Sequence, residues 1–268
     1  MIIGLYQNNP DFGRTEDNVE KAVEDLFRVD ADLIVMPELF NTGYQFISRQ
    51  EVKGLAEKIP SGPTCRSMRD LARQHDSFIV FGMAEKDGDK IYNSAVLMGP
   101  GGFIGKYRKT HLFAEEKEIF DPGNTGFHVF DIKMARIGIM ICFDWWFPEA
   151  ARGLALLGAD IICHPANLVL PHCQQAMLTR SLENGVFTAT ANRVGTESRR
   201  DGETLTFTGG SQLVDNFGCV MARLDTDNVG IITEEIDVRK ARDKKITARN
   251  DLFRDRRPEF YAVLVQKP

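Results

Sequence analysis

Three side chains of this 268-residue sequence, Glu38, Lys109 and Cys142, make a self-sufficient acyl-transfer set. A thiol attacks well only as its thiolate, and a free thiol has a pKa of about 8.5. It therefore needs a base or a positive charge beside it at neutral pH. Glu38 can take the proton. Lys109 can lower the thiol pKa and then stabilise a tetrahedral oxyanion, aided by a backbone N–H just after Cys142. Such a set needs neither histidine nor metal. Each of the three sits where a predicted strand runs out, a place where catalytic groups are often held and where a polar side chain without partners is costly.

The elements that must position them are legible from pattern. Ile137, Ile139 and Ile141 alternate with Gly138 and Met140, which reads as a short buried strand. After it, Pro148 and Glu149 open a helix with Ala150, Ala151, Leu154 and Leu157 at helical spacing, and Gly158 follows its end. Cys142 thus falls on a strand-to-helix corner, where a nearby helix N-terminus favours the thiolate. Asp32-Leu-Ile-Val-Met36 is a second buried strand, ending at Pro37-Glu38. Phe103 to Tyr107 is a third, running out at Lys109.

Further strands are expected at Ile2 to Gln7, at Phe78 to Met83 paired with Ile91 to Met98 about the turn Asp87-Gly88-Asp89, and at Asp160 to Cys163, Phe187 to Ala191, Ser211 to Val214, Cys219 to Leu224 and Gly230 to Ile236. Helices are expected with Thr15 or Asp17 as cap and Val19, Ala22, Val23, Leu26 and Phe27 on one face, after Pro63, and over Pro171 to Asn184. The long charged and aromatic stretch from Thr110 to Gly126 suggests function rather than mere connection. Ala31-Asp-Leu-Ile-Val-Met-Pro37 is echoed by Ala159-Asp-Ile-Ile-Cys-His-Pro165, and the turn around Phe103 by one around Phe217. The echoes imply two similar halves, with sheets face to face and helices outside.

Composition narrows the function classes. Net charge is −5, which gives no footprint for nucleic acid or an anionic membrane. No apolar run approaches the ~20 residues that span a bilayer, and the N-terminus lacks the pattern of a signal peptide. The five cysteines, Cys65, Cys142, Cys163, Cys173 and Cys219, are odd in number and unpatterned, so a reduced, cytoplasmic protein is expected. Cys163-His164 and His172-Cys173 match no common zinc spacing, so neither metal nor cofactor is expected. Nothing in the spacing selects a histidine to serve Cys142. Gly99-Pro-Gly-Gly102 lacks the Lys-Ser/Thr of a phosphate loop.

The motifs resemble those of the carbon–nitrogen hydrolase family, the nitrilase superfamily, over essentially the whole chain. They are Pro37-Glu38 with Thr42-Gly43-Tyr44; Tyr107-Arg-Lys-Thr-His-Leu-Phe113 with Glu116 and Pro122-Gly123; Ile141-Cys-Phe-Asp144 with Phe147-Pro148-Glu149; His164-Pro-Ala-Asn167; and Arg180 with Glu183-Asn184. The resemblance implies an α/β (α+β) fold, a four-layer α-β-β-α sandwich with pseudo-duplicated halves, as one domain over 1–268. It implies Glu38 as general base, Lys109 as oxyanion stabiliser and Cys142 as nucleophile. The family's second glutamate falls on Glu116, although Glu115 and Glu118 are its neighbours. It also implies a homodimer or larger homo-oligomer, with 246–268 as a C-terminal arm at the dimer interface.

Family members cleave nitriles, primary amides or N-carbamoyl compounds. Nitrilases proper usually carry Trp-Glu after the cysteine, whereas this chain has Phe143-Asp144. Members that take carboxylate-bearing substrates often place Arg where Trp145 and Trp146 stand. The pattern looks closer to carbamoylputrescine-type amidases, which points to a neutral or cationic amide or carbamoyl amine. A nitrilase is the first alternative, and a non-catalytic scaffold or an acyltransferase the second. Tyr44, Phe143, Trp146 and Asn167 are the expected substrate contacts. Trp can offer a wall or a face for a cation.

Overall fold

The computed structural model describes residues 1–266. The first half holds β1 (Ile2–Gln7), α1 (Thr15–Leu26), β2 (Leu33–Val35), α2 (Arg49–Leu55), α3 (Pro63–His75), β3 (Phe78–Asp87), β4 (Lys90–Gly99) and β5 (Gly102–Arg108). A short helix, α4 (Glu116–Ile119), lies in the connecting stretch. The second half holds β6 (Val129–Asp131), β7 (Arg136–Ile139), α5 (Pro148–Leu156), β8 (Ile161–Pro165), α6 (Cys173–Asn184), β9 (Phe187–Ala191), β10 (Thr196–Arg200), β11 (Glu203–Thr206), β12 (Gln212–Val214) and β13 (Val220–Arg223). The chain then returns to the first sheet as β14 (Gly230–Glu235).

Two six-stranded sheets result, in the orders β14-β1-β2-β3-β4-β5 and β6-β7-β8-β9-β12-β13. Read in those directions, both run antiparallel, parallel, parallel, antiparallel, antiparallel. The duplicated halves expected from the echo are therefore present as a repeated sheet topology. Strand periodicity builds the layers. Ile3, Leu5, Leu33 and Val35 join Ile137, Ile139, Ile161 and Phe187 in the core between the sheets. Their alternates Tyr6, Ile34 and Met36 pack with Val19, Leu26, Met68 and Leu71 of α1 and α3. α5 and α6 cover the second sheet, so the layers run α-β-β-α.

Some boundaries move. β7 stops at Ile139, and Cys142 opens a 3-10 turn, Cys142–Trp146, ahead of α5. Thr15 is the first residue of α1 rather than its cap, and no side chain caps that helix. Phe27 is 49% exposed and lies edge-on to His75 instead of entering the core. The β10–β11 hairpin was not expected, because Thr196–Arg200 and Glu203–Thr206 show no continuous apolar face. α2 was missed for a similar reason: only Val52 of its seven residues is buried.

Candidate active site

Four strand ends converge. The segment after β2 carries Glu38 and stays bonded to β3, with Gly82 N donating to Pro37 O (3.1 Å) and Phe40 N to Gly82 O (3.1 Å). A Cβ at Gly82 would lie 2.5 Å from Glu38 Cα, so glycine is required for this approach. Lys109 follows β5, its N–H bonded to Asn93 O (2.8 Å) and its carbonyl to Gly123 N (3.0 Å). A Cβ at Gly123 would stand 2.2 Å from Arg108 O. Cys142 follows β7, and Asn167 follows β8.

Lys109 Nζ donates to Glu38 Oε1 and to Glu116 Oε1, each at 2.7 Å, and all three side chains are buried. Asn93 Nδ2 also donates to Glu38 Oε1 (2.7 Å), which leaves Glu38 Oε2 without a partner. Phe113 N donates to Glu116 Oε2 (3.0 Å). The second glutamate of the cluster is thus Glu116, whereas Glu115 is exposed. Burial disfavours the Lys109 charge, but Glu116 and Glu38 outweigh it and raise its pKa, so Lys109 remains an ammonium. Burial raises the Glu116 pKa, with Glu38 adding to the effect and Lys109 opposing it.

The Cys142 thiol is also pushed well above its ordinary value. Burial is the main cause and Glu38 adds to it, while Lys109 pulls the other way. This corrects the expectation that a helix N-terminus would favour a resting thiolate. The desolvation of a residue only 5% exposed dominates, and the helix proper begins only at Pro148.

The corner itself is strained and braced. Cys142 has φ +42°, and Leu39 (+48°) and Ala114 (+45°) beside the other site residues share this unusual conformation. Among non-glycine residues it costs about 1–3 kcal/mol each and persists only where surroundings enforce it. Asp144, fully buried, accepts from Ile141 N (2.8 Å), Tyr107 Oη (2.8 Å) and both the N–H (3.1 Å) and Nδ1 (2.7 Å) of His111. His164 Nε2 donates to the Cys142 carbonyl (2.9 Å), and its Nδ1 lies 3.2 Å from Thr190 Oγ1. Burial lowers the His164 pKa to about 4, so it is neutral.

The expected substrate contacts separate. A small cleft is lined by Cys142, Phe113, Phe143, Trp145, Asn167 and Leu168 to Leu170. Phe143 and Asn167 therefore wall the cleft beside Cys142. Asn167 also ties Glu38 to Cys142, since its Nδ2 donates to Glu38 O (2.8 Å) and its own carbonyl accepts from Cys142 Sγ (3.7 Å). Trp146 is displaced from its expected place: it is 47% exposed and packs on Trp145, Phe143 and His172, while the 7%-exposed Trp145 faces the cleft. The 3-10 turn causes the exchange, because it rotates successive side chains differently from an immediate α-helix. Tyr44 lines a second small cavity together with Glu116, Phe46, Phe120, Arg200 and Glu203. Asn93 and the bracing role of His164 were not singled out from sequence, and of the two tryptophans weighed there Trp146 rather than Trp145 was named as the substrate contact. A buried polar pair, Asn93-Ser94, inside the apolar strand Ile91 to Met98 was the available signal for the first.

The family profile described as carbon-nitrogen hydrolase matches residues 2–245. The chain is 48% identical over 262 residues to a nitrilase of Pyrococcus abyssi, covering 97% of this chain and 98% of that protein. It is 32% identical over 266 residues to an N-carbamoylputrescine amidase of Solanum lycopersicum, covering 92% and 88%. A solved carbon-nitrogen hydrolase from Helicobacter pylori superposes with a TM-score of 0.89 at 26% identity, covering 100% of this chain and 99% of that one. Layer order, duplicated sheets and matched sequence agree: the chain belongs to the carbon–nitrogen hydrolase family, the nitrilase superfamily.

Proposed function

We propose that Cys142 is the nucleophile, Glu38 the general base, Lys109 the oxyanion stabiliser and Glu116 the group that holds Lys109. The observation that carries this reading is the buried Glu38–Lys109–Glu116 array, bonded at 2.7 Å on each side, next to a thiol on a strained corner. Cys142 attacks the substrate carbon as its proton passes to Glu38. Lys109 and the Phe143 N–H hold the oxyanion. Glu38 returns the proton to the departing nitrogen, ammonia leaves and a thioester remains. Water then gives a proton to Glu38 and attacks the thioester, releasing the acid and regenerating the thiol.

The cleft lining supports an uncharged reacting end on a primary amide or N-carbamoyl amine, because it holds no lysine or arginine to meet a carboxylate. A second reading, hydrolysis of small nitriles, is favoured by the P. abyssi relative. Ammonia release on a matched panel of neutral primary amides, N-carbamoyl amines, omega-amides of dicarboxylates and small nitriles separates the two. Cys142→Ala serves as the blank and should abolish turnover while keeping the thermal midpoint. Turnover by that variant refutes the assignment. Turnover of nitriles alone installs the second reading.

The enzyme is further proposed to act as a homodimer in the cytoplasm, with 246–268 as an interface arm. Residues 267–268 lie outside the described residues. Leu156 of α5, Leu157 just past its end and Leu182 of α6, together with Phe260, Val263, Leu264 and Val265 of the arm, are exposed and large, which supports a covered face. The five cysteines are free, which suits a reducing compartment. Leu182→Glu should convert dimer to monomer by light scattering, and an unchanged mass would refute the assigned face.

A further inference from the structure

The segment from Glu38 to Phe46 has site residues at both ends. Its near end is fastened to β3, as described. Its far end is fastened by Glu197, on the β10–β11 hairpin. The Glu197 carboxylate accepts the N–H groups of Tyr44 (3.1 Å) and Gln45 (2.6 Å). It is buried, and its charge is met by Arg193, which is itself 1% exposed. The Arg193 guanidinium also donates to Asn9 Oδ1 (2.9 Å) and lies 3.9 Å from the centre of the Phe207 ring. Phe207 in turn meets the Tyr44 ring edge-on, with centroids 6.0 Å apart.

Gly43 makes this fastening sterically possible. Its φ is +81°, and a Cβ there would come 2.8 Å from Glu197 Oε1. A buried ion pair is a costly way to gain stability, since desolvation offsets most of its attraction, but it imposes direction. The direction imposed here ends at the active site. Tyr44 and Glu116 wall the same cavity. Glu116 in turn holds Lys109 at 2.7 Å.

We propose that Glu197 is a positioning residue that, with Arg193, sets Tyr44 against Glu116 and so fixes where the Lys109 ammonium points. The proposal rests on the roles given above to Lys109 and Glu116. It gives the hairpin a positioning role, although the Lys109 Nζ itself bonds to Glu38 and Glu116.

The test is a double-mutant cycle of Tyr44→Phe and Glu197→Gln, with kcat and KM measured on whichever panel compound releases ammonia. Each single variant should lower kcat about tenfold, the scale expected when a group that positions the Lys109 ammonium shifts, and leave KM within about twofold. The double variant should be no slower than the slower single, because both changes break one chain of contacts. Additive losses, a change in KM alone, or an unchanged kcat in Tyr44→Phe overturns the proposal. If Glu197→Gln does not fold, Gly43→Ala replaces it in the cycle, since its new Cβ displaces the same carboxylate. Full activity of Cys142→Ala would instead overturn the underlying reading, so the two failures are distinct.

Discussion

The two halves of the molecule present the same backbone ladder and opposite contents. Leu33 faces Phe78 across β2–β3, and Ile161 faces Phe187 across β8–β9. Following both ladders makes Met36 the counterpart of His164, Phe81 of Thr190, and Gly82 of Ala191. In the first half Met36 and Phe81 are members of the apolar cluster under α1 and α3. In the second half the same places hold a hydrogen-bonded histidine and threonine, because the histidine must also satisfy the carbonyl of the strained Cys142. The difference extends to the connections. β3 turns tightly into β4, whereas β9 reaches β12 only through the β10–β11 hairpin. The repeated sheet decides where strand ends fall. What stands at each end decides whether it packs, braces or reacts.

The comparison can be broken in three ways. The largest effect is in acid. Burial holds His164 at about 4, against about 6.5 in an unfolded chain. Between those values the unfolded chain binds the extra proton, so stability falls as pH drops from 6.5 towards 4, by about 3 kcal/mol in total. His164→Met, which installs the counterpart's side chain, should remove that loss. Urea melts at pH 7 and pH 4 read it, and an equal pH dependence in both proteins would contradict the assignment of a neutral, buried imidazole.

Next is Gly82→Ala. Its Cβ has no room beside Glu38, so Glu38, the proposed base, must shift, and kcat/KM should fall about 100-fold while a thermal melt stays cooperative. Wild-type kinetics in that variant would show that the close approach is dispensable. The smallest effect is expected at the equivalent site of the other half. Ala191→Gly should cost only about 0.5–1 kcal/mol through backbone entropy and leave the rate unchanged. A rate loss there as large as that of Gly82→Ala would mean that the halves are not functionally distinct at this position.

Legibility followed the same division. The strands bearing the site were readable because they are apolar and end in Pro-Glu, Lys or Cys, and the repeat was readable as Ala31 to Pro37 against Ala159 to Pro165. α2 and β10–β11 were not, since their residues are polar and their order comes from contacts with distant segments. Arg199, for example, pairs with Glu51 and Gln45. The exchange of Trp146 for Trp145 at the cleft was equally hidden, because one turn of 3-10 geometry decides it.

Sequence alone made the layered fold and its duplication legible through local periodicity and the strand echoes, and it singled out Glu38, Lys109 and Cys142 as candidates at strand ends, whereas Glu116 was named only through the family resemblance. Tertiary structure alone decided the protonation of Cys142, the tether of Asn167 to Glu38, and the reach of Glu197 to Tyr44. Each of those depends on desolvation or on a contact between residues far apart in sequence, and neither is encoded in local pattern.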